Sequence, residues 1–272
     1  MLMHEKFHLD RLYKLRKKCY NQDNSIRKEE RVMTKVIRYT SDYLCMIADY
    51  GSPERHRHPT AHLVIADEST LRCTVGNAYF ECEGIMIRSG AAHEIQSDGR
   101  MIVFLIADPS GITELMQERF LASSDHAVLP EDAISEVQKI CRQYNGDMDI
   151  QILKKLDIYS EKRITADDRV LTAIAKIESS PSITPDMMEH LCRKTYLSQS
   201  RLSHLFKAET GNTLAGYLAF MKMRKAFEYA ESGMNLTDAA MHAGFDSSSH
   251  LAATCKRMFG ISLSAFLRSQ KE

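Results

Sequence analysis

Four histidines in the first half of the chain have the residue type and spacing for metal chemistry. His56, His58 and His62 lie in "RHRHPTAH", and His93 follows in "SGAAHEI". Alternate residues of a strand share a face, so His56 and His58 would point the same way. Imidazole nitrogens suit divalent transition metals such as Zn²⁺, Ni²⁺, Cu²⁺, Fe²⁺ and Mn²⁺. The four residues therefore predict a metal site, polar contacts to a small organic effector, or a solvated strand edge.

A second set of polar residues belongs to a repeat in the last third of the chain. The segments 201–218 and 250–267 superimpose when the sequence is shifted by 49 residues. Their identical pairs are Leu202/Leu251, Lys207/Lys256, Gly211/Gly260, Leu214/Leu263 and Leu218/Leu267. Two copies of one helical unit are therefore present, and each presents polar residues opposite an apolar stripe.

Each copy has the signals of a helix-turn-helix unit. In the second copy, Ala240 is small where two helices must touch, and Gly244 suits a turn with positive φ. Asp246 or Ser247 can cap the next helix, and Gly260 can end it. The corresponding stripes are Leu251, Cys255 and Met258 or Phe259 in the second copy, and Leu202, Leu205 and Phe206 in the first, where Cys192 is the small residue and Ser198 the cap. Two hairpins of an ordinary bundle are the alternative.

A single long helix is predicted between the two units. The segment 214–232 contains no helix breaker except Gly216 near its start. At ~1.5 Å per residue it would span about 28 Å. Successive major-groove faces of B-DNA are about 34 Å apart, so one chain could place two helices in adjacent grooves.

The elements that would position the histidines are strands. "LRCTV" alternates apolar and polar residues, and Gly76–Asn77 and Glu83–Gly84 each turn the chain into the next strand. "RMIVFLIAD" (100–108) reads as a buried run. Short strands separated by turns predict a small antiparallel barrel or sandwich over 33–110.

Helical spacing replaces the strand pattern after the barrel. Residues 111–145 carry a stripe of Ile134, Val137, Cys141 and Tyr144, which would pack on its own domain or on a partner's matching helix. We therefore predict a packing or dimerisation segment there. Residues 146–167 read as a linker, and 1–32 as a charged N-terminal extension.

Composition limits the function classes. The chain has 272 residues, a formal net charge of zero, 44% hydrophobic and 26% charged residues, which is typical of ordered domains. No apolar run approaches the roughly 18 residues that would span a bilayer. Seven scattered cysteines without C-x-x-C favour a reducing cytoplasm, and the charged N-terminus does not suit a secretory signal. We expect a cytoplasmic protein without a membrane partner.

The repeat resembles the DNA-binding domain of AraC/XylS-type transcription regulators. The resemblance rests on "LSQSRLSHLFKAETGNTLAGYL" and "LTDAAMHAGFDSSSHLAATCKRMFGISLSAFLR", within residues 168–272. It implies an all-α domain of seven helices with two helix-turn-helix units joined by one long helix. Double-stranded DNA would be read by the outer face of the second helix in each unit.

The resemblance assigns the DNA-contacting residues by position. On the first reading helix they are Ser200, Arg201, Ser203, His204 and Lys207, and on the second Ser248, Ser249, His250, Ala253 and Lys256. Lys222 stands on the long helix where the family usually has Arg. Ala253, Cys255 and Tyr196 also depart from the family, which often has a long polar residue, Phe and Gly there. We therefore expect the first helix to supply most base discrimination and the second to dock on the backbone.

The histidines resemble the cupin barrel pattern H-x-H-x3-4-E…H, with His62 at the position of the Glu. Regulators of the AraC type frequently carry cupin-like sensor domains. The two resemblances together imply a two-domain, homodimeric, ligand-responsive transcription regulator that is not an enzyme. One alternative is a cupin-type metal-dependent enzyme fused to a DNA-binding domain, with Glu81, Glu83 or Glu94 as acid/base. The other is a DNA-binding scaffold with an inert barrel.

Overall fold

The computed structural model describes residues 33–49, 55–67, 69–107, 111–143, 146–159, 167–259 and Leu263. These residues form two domains in the predicted order, an antiparallel β domain with trailing helices and then an all-helical domain. The predicted extension, 1–32, and Gly260 lie outside the described residues.

The β domain contains two antiparallel sheets. One has the order β1-β2-β8-β3-β6-β9 and the other β5-β4-β7. The strands are β1 Met33–Tyr39, β2 Tyr43–Asp49, β3 Ala61–Ala66, β4 Leu71–Val75, β5 Ala78–Cys82, β6 Gly84–Ile87, β7 His93–Ser97, β8 Met101–Ile106 and β9 His126–Val128. Strands β3 and β8 are buried along their whole length, because both faces of their sheet are covered.

Local alternation produced strands where the sequence indicated them. In β4, Leu71, Cys73 and Val75 are buried while Arg72 and Thr74 are half-exposed. Gly76, with φ 59°, turns the chain from β4 into β5, and the two strands pair from Leu71↔Cys82 to Val75↔Ala78. The Gly76–Asn77 turn is therefore confirmed as a hairpin.

The predicted turn at Glu83–Gly84 has a different role. Strand β5 pairs with β4, whereas β6 pairs with β3 and β9 in the other sheet, so the chain changes sheets at this point. A Cβ on Gly84 would collide with Cδ1 of Ile134 and lie 2.9 Å from Cδ1 of Leu129. The glycine is needed because helix and strand pack closely at the crossing.

Helices follow the barrel, as predicted. They are α1 Ile112–Met116, a π-helical turn Gln117–Leu121, α2 Glu131–Arg142 and α3 Met148–Lys155. Of the predicted stripe on α2, Ile134 and Val137 are buried in the apolar core beneath the large sheet, and Cys141 is half-buried. Tyr144 lies outside the described residues. These side chains pack against their own domain.

Part of the predicted linker is wrong, because α3 lies within 146–167. Met148, Ile152 and Leu153 of α3 are buried. Asp149, fully buried, accepts a hydrogen bond of 2.6 Å from the Tyr43 hydroxyl and forms an ion pair of 2.5 Å with Arg38. A buried carboxylate held by two partners fixes α3 to the barrel. The polar letters "NGDMD" concealed a helix that starts among them.

The second domain is helical throughout its described residues. Its helices are α4 Asp168–Ser179, α5 Met187–Thr195, α6 Gln199–Thr210, α7 Leu214–Glu231, α8 Leu236–Ala243 and α9 Ser248–Phe259. Leu191, Leu202, Phe206, Tyr217 and Leu251 belong to its core. A seventh helix would fall within 260–272, of which only Leu263 is described. No described helix is long and apolar enough to cross a membrane.

The two domains contact each other along α7. The Tyr39 hydroxyl donates to the Phe220 carbonyl at 3.2 Å, and their rings lie 5.2 Å apart. Asn212, 1% exposed, donates through Nδ2 to the Ala107 carbonyl at 2.7 Å. Pro59 lies so close to Gly216 that an added Cβ would be 2.8 Å from it. The barrel therefore seats on the start of the long helix.

Candidate nucleic-acid interface and imidazole cluster

The first helix-turn-helix unit consists of α5 and α6. Ser198 caps α6 by accepting a hydrogen bond from the Arg201 amide at 3.4 Å, as predicted. Tyr196 ends α5 in the left-handed conformation with φ 55° and is 94% exposed. Glycine usually occupies such a position, and an L-residue there costs roughly 1 kcal/mol. The departure seen in the sequence is therefore accommodated with strain and without a change of fold.

The outer face of α6 carries the predicted reading residues. Ser200, Arg201, His204 and Lys207 are exposed and Ser203 is half-exposed, opposite the buried Leu202 and Phe206. Within the described residues, no hydrogen bond or ion pair engages the side chains of Ser200, Ser203, His204 or Lys207. The face presents donors, acceptors and positive charge outward, which is the chemistry of base edges and phosphates.

The second unit, α8 and α9, contains a tighter turn. Gly244 has φ 101°, and a Cβ there would collide with the Ile183 carbonyl, whose amide bonds the Ala243 carbonyl at 3.0 Å. Of the two predicted caps, Ser247 is the one used: its hydroxyl accepts from the His250 amide at 3.1 Å. Ala240 is fully buried at the helix contact, as its size predicts.

The outer face of α9 is less polar and partly occupied. Ser249, His250, Ala253 and Lys256 are exposed, and Ser248 is half-exposed. The exposed Asp246 lies 3.1 Å from Nδ1 of His250, so the imidazole is held from the preceding turn and its charge is offset by the carboxylate. Ala253 offers no hydrogen-bonding group. This face can meet DNA, but it has little with which to discriminate bases.

Lys222 lies inside the second unit. Its ammonium donates to the Gly244 carbonyl at 2.8 Å and stands 5.2 Å from the centroid of the Phe245 ring. Burial lowers its pKa below the usual value, with Asp246 opposing the shift. Lys222 thus joins the long helix to the turn before α9, a contact that the sequence prediction of a DNA-binding residue missed.

The long helix joins the end of the first unit to the start of the second. Helix α7 has 18 residues, which at ~1.5 Å per residue is about 27 Å. Thr213 caps it by accepting from the Gly216 amide at 3.1 Å, two residues after Gly211 ends α6 with φ 72°. Its length is close to that predicted from 214–232, and it supports the placement of α6 and α9 one groove repeat apart.

The four histidines gather at one place in the barrel. His56 and His93 pair through two backbone hydrogen bonds of 3.0 Å, His58 follows in a loop, and His62 lies on β3. Ring centroids are 4.3 Å apart for His56–His58, 4.8 Å for His56–His93, 4.6 Å for His58–His62 and 4.8 Å for His62–His93. Ligand nitrogens of His56, His58 and His93 lie within 4.8 Å of one another. We call these four residues the imidazole cluster.

Burial keeps the imidazole cluster neutral. His58, His62 and His93 are only 4%, 3% and 3% exposed. Desolvation, aided by the neighbouring imidazoles, lowers the pKa of His58 to about 2 and that of His62 well below its usual value. Desolvation also lowers the pKa of His93 to about 4, against the opposing effect of the Ala91 carbonyl. Neutral imidazoles keep the lone pair that a metal requires.

The hydrogen bonding of the imidazole cluster is incomplete. Nδ1 of His93 lies 2.9 Å from the Ala91 carbonyl, so it carries the proton and leaves Nε2 as the acceptor. Nδ1 of His58 and Nδ1 of His62 are buried without a partner among the described residues. Buried polar nitrogens are seldom left unpaired in a folded domain. The cluster therefore fits a group that accepts lone pairs.

The carboxylates proposed for an enzyme are occupied elsewhere. Glu81 accepts from the Tyr79 hydroxyl at 3.2 Å, Glu83 from Gln138 at 3.0 Å and Glu94 from Gln96 at 2.8 Å. Glu94 alternates with His93 on β7, so it faces away from the cluster. Among the described residues, the group that could hold a metal contains histidines alone.

The imidazole cluster lies at the contact between the domains. The backbone of Arg257 and of Met258, near the end of α9, is close enough to the His58 ring to favour its charged form. The Ser89 hydroxyl donates to the Pro59 carbonyl at 2.9 Å and to Asn212 Oδ1 at 3.3 Å. The barrel segment that carries His58 is therefore enclosed by the helical domain.

Comparison with known proteins agrees with this geometry. Residues 191–269 match a family model described as a helix-turn-helix domain. The C-terminal domain is an AraC-type helix-turn-helix domain. The match covers α6 to α9, and it begins within α5. The predicted two-domain architecture, with the AraC-type domain following a β domain, is confirmed.

Solved structures resemble nearly the whole chain in fold. The AraC-type domain and the barrel together are similar to ToxT from Vibrio cholerae in an apo variant from strain SCE256, at 14% identity, 85% coverage of this chain, 98% of that chain and a TM-score of 0.51. A 1.65 Å structure of ToxT gives 13% identity, coverage of 85% and 100%, and a TM-score of 0.51. No curated protein sequence matches the chain.

Two arginines beside the imidazole cluster were missed by the sequence reasoning. Arg55 and Arg57 line a polar cleft together with Asn77, Ser89 and Asp125. Their signal was the alternation "RHRH", in which the arginines fall on the side opposite the imidazoles. In the AraC-type domain the exposed Tyr196 was treated only as a departure, although its position in the turn brings it to the same end as α6.

Proposed function

We propose that the chain is a sequence-specific DNA-binding transcription regulator whose barrel senses a small effector. The observation that carries this proposal is the pair of capped helices, α6 and α9, at the two ends of α7. Each turns a polar face outward while its apolar stripe is buried. DNA binding is a function of such faces, because they present hydrogen-bonding groups and cations without unfolding anything.

The two faces have different roles in the proposal. Ser200, Ser203 and His204 read base edges, Lys207 meets phosphate, and Arg201 at the margin serves either role. On α9, the residues Ser248, Ser249, His250, Ala253 and Lys256 dock against the backbone, with Ala253 near a thymine methyl at most. Lys222 acts through the Gly244 carbonyl, so we propose that it positions α9 and makes no DNA contact of its own.

Selection from random duplexes with the full-length protein tests the DNA-binding function. The selected site should bind far more tightly than a scrambled duplex of equal length, typically by a factor of about 10³ or more. Lys207→Ala should weaken binding, whereas Lys154→Ala, on barrel helix α3, removes the same charge and should leave it unchanged. Equal affinity for the selected and the scrambled duplex would disprove sequence-specific recognition.

For the barrel we propose a divalent transition metal as the effector. The fit rests on the buried, unpartnered Nδ1 atoms of His58 and His62 and on the fixed tautomer of His93. His56, His58 and His93 would hold the ion, with His62 beside them as a fourth imidazole. Such an ion would supply a fixed positive charge and a rigid link among three chain segments.

Cobalt binding tests this metal site independently of DNA. Co²⁺ added to untagged, chelator-treated protein should give visible d–d absorption and a plateau near one metal per chain. His93→Ala should weaken Co²⁺ binding by tenfold or more, and His190→Ala, an exposed histidine on α5, should not. Less than 0.1 metal per chain would remove the metal effector and leave the DNA-binding proposal intact.

A small organic anion is the second candidate effector, and one observation favours it. The cleft beside the cluster is lined by Arg55 and Arg57, whose guanidinium groups bond the Gly76 and Gly90 carbonyls and remain exposed. Calorimetry with small carboxylates would detect such a ligand. We further propose that the protein is a homodimer in the cytoplasm and not an enzyme; sedimentation at micromolar concentration tests the dimer.

A further inference from the structure

The segment 56–59 connects the imidazole cluster to the DNA-binding domain. His56 and His58 are members of the cluster, and Pro59 packs on Gly216 at the start of α7. The backbone of Arg257 and Met258 borders the His58 ring, and α9 carries the proposed phosphate contact Lys256 one residue earlier. A movement of His58 therefore changes a contact made by a DNA-facing helix.

Metal ligation requires such a movement. The candidate ligand nitrogens of His56, His58 and His93 are separated by up to 4.8 Å. Nitrogens around a tetrahedral Zn²⁺, with bonds of about 2.0 to 2.1 Å, stand only about 3.4 Å apart. The nitrogens must draw together by roughly 1 Å at the widest separation. This displacement is large compared with the tolerance of packed side chains.

His58 is the member of the cluster that can move most easily. His62 lies within β3 and His93 within β7, where ladder hydrogen bonds fix the backbone. His58 lies in a loop, held by one hydrogen bond from the Gly90 amide to its carbonyl at 2.8 Å. Contraction of the cluster thus draws His58 towards β3 and β7 and away from α9.

We propose that His58 couples the imidazole cluster to DNA binding: metal ligation draws its ring away from the end of α9 and frees that helix to dock in the groove. The inference rests on the proposed function, because it needs both a metal site and a DNA-binding face. His58 is here a positioning residue, which acts on DNA through α9. Coupling between two sites must be reciprocal.

The test uses the full-length protein, Co²⁺ alone as the metal and a duplex selected by the wild-type protein. The dissociation constant for DNA should fall about fivefold or more when Co²⁺ is added, and the dissociation constant for Co²⁺ should fall by the same factor when DNA is saturating. Both readings use the wild-type chain, so they stand even if a variant fails to fold. The Co²⁺ spectrum establishes occupancy independently of DNA.

A matched pair of variants locates the coupling. His58→Ala and His93→Ala each remove one imidazole from the cluster, and three histidines remain in each. At Co²⁺ concentrations that saturate each variant by its spectrum, DNA binding should still tighten in His93→Ala but change less than twofold in His58→Ala. Tyr39→Phe, which removes a different contact between the domains, should keep the full response.

The outcomes separate the coupling from the function on which it rests. A wild-type protein that binds Co²⁺ and DNA with less than twofold mutual effect would overturn the coupling and leave the proposed function standing. Weaker DNA binding with Co²⁺, or equal responses in His58→Ala and His93→Ala, would also overturn it. Loss of specific DNA binding in every metal state contradicts the proposed function itself, and absence of Co²⁺ binding contradicts the metal site alone.

Discussion

The two helix-turn-helix units differ in how they are attached to the rest of the molecule. In the first, the side chains of Ser203, His204 and Lys207 project from α6, and no described residue bonds to them. In the second, Asp246 holds His250, and Lys222 holds the turn carbonyl of Gly244. The end of α9 also borders His58 of the barrel.

This difference assigns different duties to units that share one fold. A reading face needs side chains that are free to bond bases, and α6 has them. A regulated face needs contacts that an effector can change, and α9 has those. The repeat therefore does not imply equal roles, and each of the following changes tests one side of the contrast.

The largest effect is expected at the two turns. Gly244→Ala forces an L-residue to φ 101° and places Cβ against the Ile183 carbonyl, so the variant should lose about 3 kcal/mol of unfolding free energy or fail to fold. Gly233→Ala is the matched control, because it has the same φ of 101° and open space around it, and should lose only roughly 1 kcal/mol. Chemical denaturation measures both. Equal losses would mean that the close approach to Ile183 carries no weight.

The next effect distinguishes reading from docking. His204→Ala should weaken binding to the selected duplex by about 10- to 100-fold, as expected for the loss of a base contact, and should reduce discrimination against a scrambled duplex. Ser249→Ala, at the corresponding face of α9, should change affinity by less than about threefold. Fluorescence anisotropy at one salt concentration measures both. The reverse ranking of the two variants would overturn the assignment of roles.

Sequence predicted the features that depend on neighbours along the chain. The caps Ser198 and Ser247, the alternation in β4 and the turn at Gly76 are local, and each appears in the structure. The histidines were grouped correctly for the same reason, because period-two spacing fixes their side of a strand.

Features that depend on distant approach were not predictable in this way. The crossing of sheets at Gly84, the helix α3 in the expected linker and the engagement of Lys222 by a turn each depend on segments far apart in sequence. The contact of His58 with α9 joins residues about two hundred positions apart. No periodicity or motif contains such information, since only packing brings the partners together.

A smaller effect should follow from relieving strain in the first turn. Tyr196→Gly replaces a left-handed tyrosine by the residue that adopts φ 55° at no steric cost, and the exposed ring loses no packing. The variant should gain about 1 kcal/mol of unfolding free energy. If Tyr196 also contacts DNA, affinity for the selected duplex will fall while stability rises. A loss of stability would show that the ring packs in a way that its exposure does not indicate.

The smallest effect distinguishes a positioning lysine from a phosphate-binding one. Lys256→Met removes an exposed cation from α9, so the slope of log affinity against log salt should fall in magnitude by about 1. Lys222→Met removes the bond to the Gly244 carbonyl, so unfolding free energy should fall by about 1 kcal/mol while the salt slope stays unchanged. Lys222→Arg, which keeps the cation, should restore the stability. A reduced salt slope in Lys222→Met would place its ammonium on phosphate, and α9 would then be held to the long helix by packing alone.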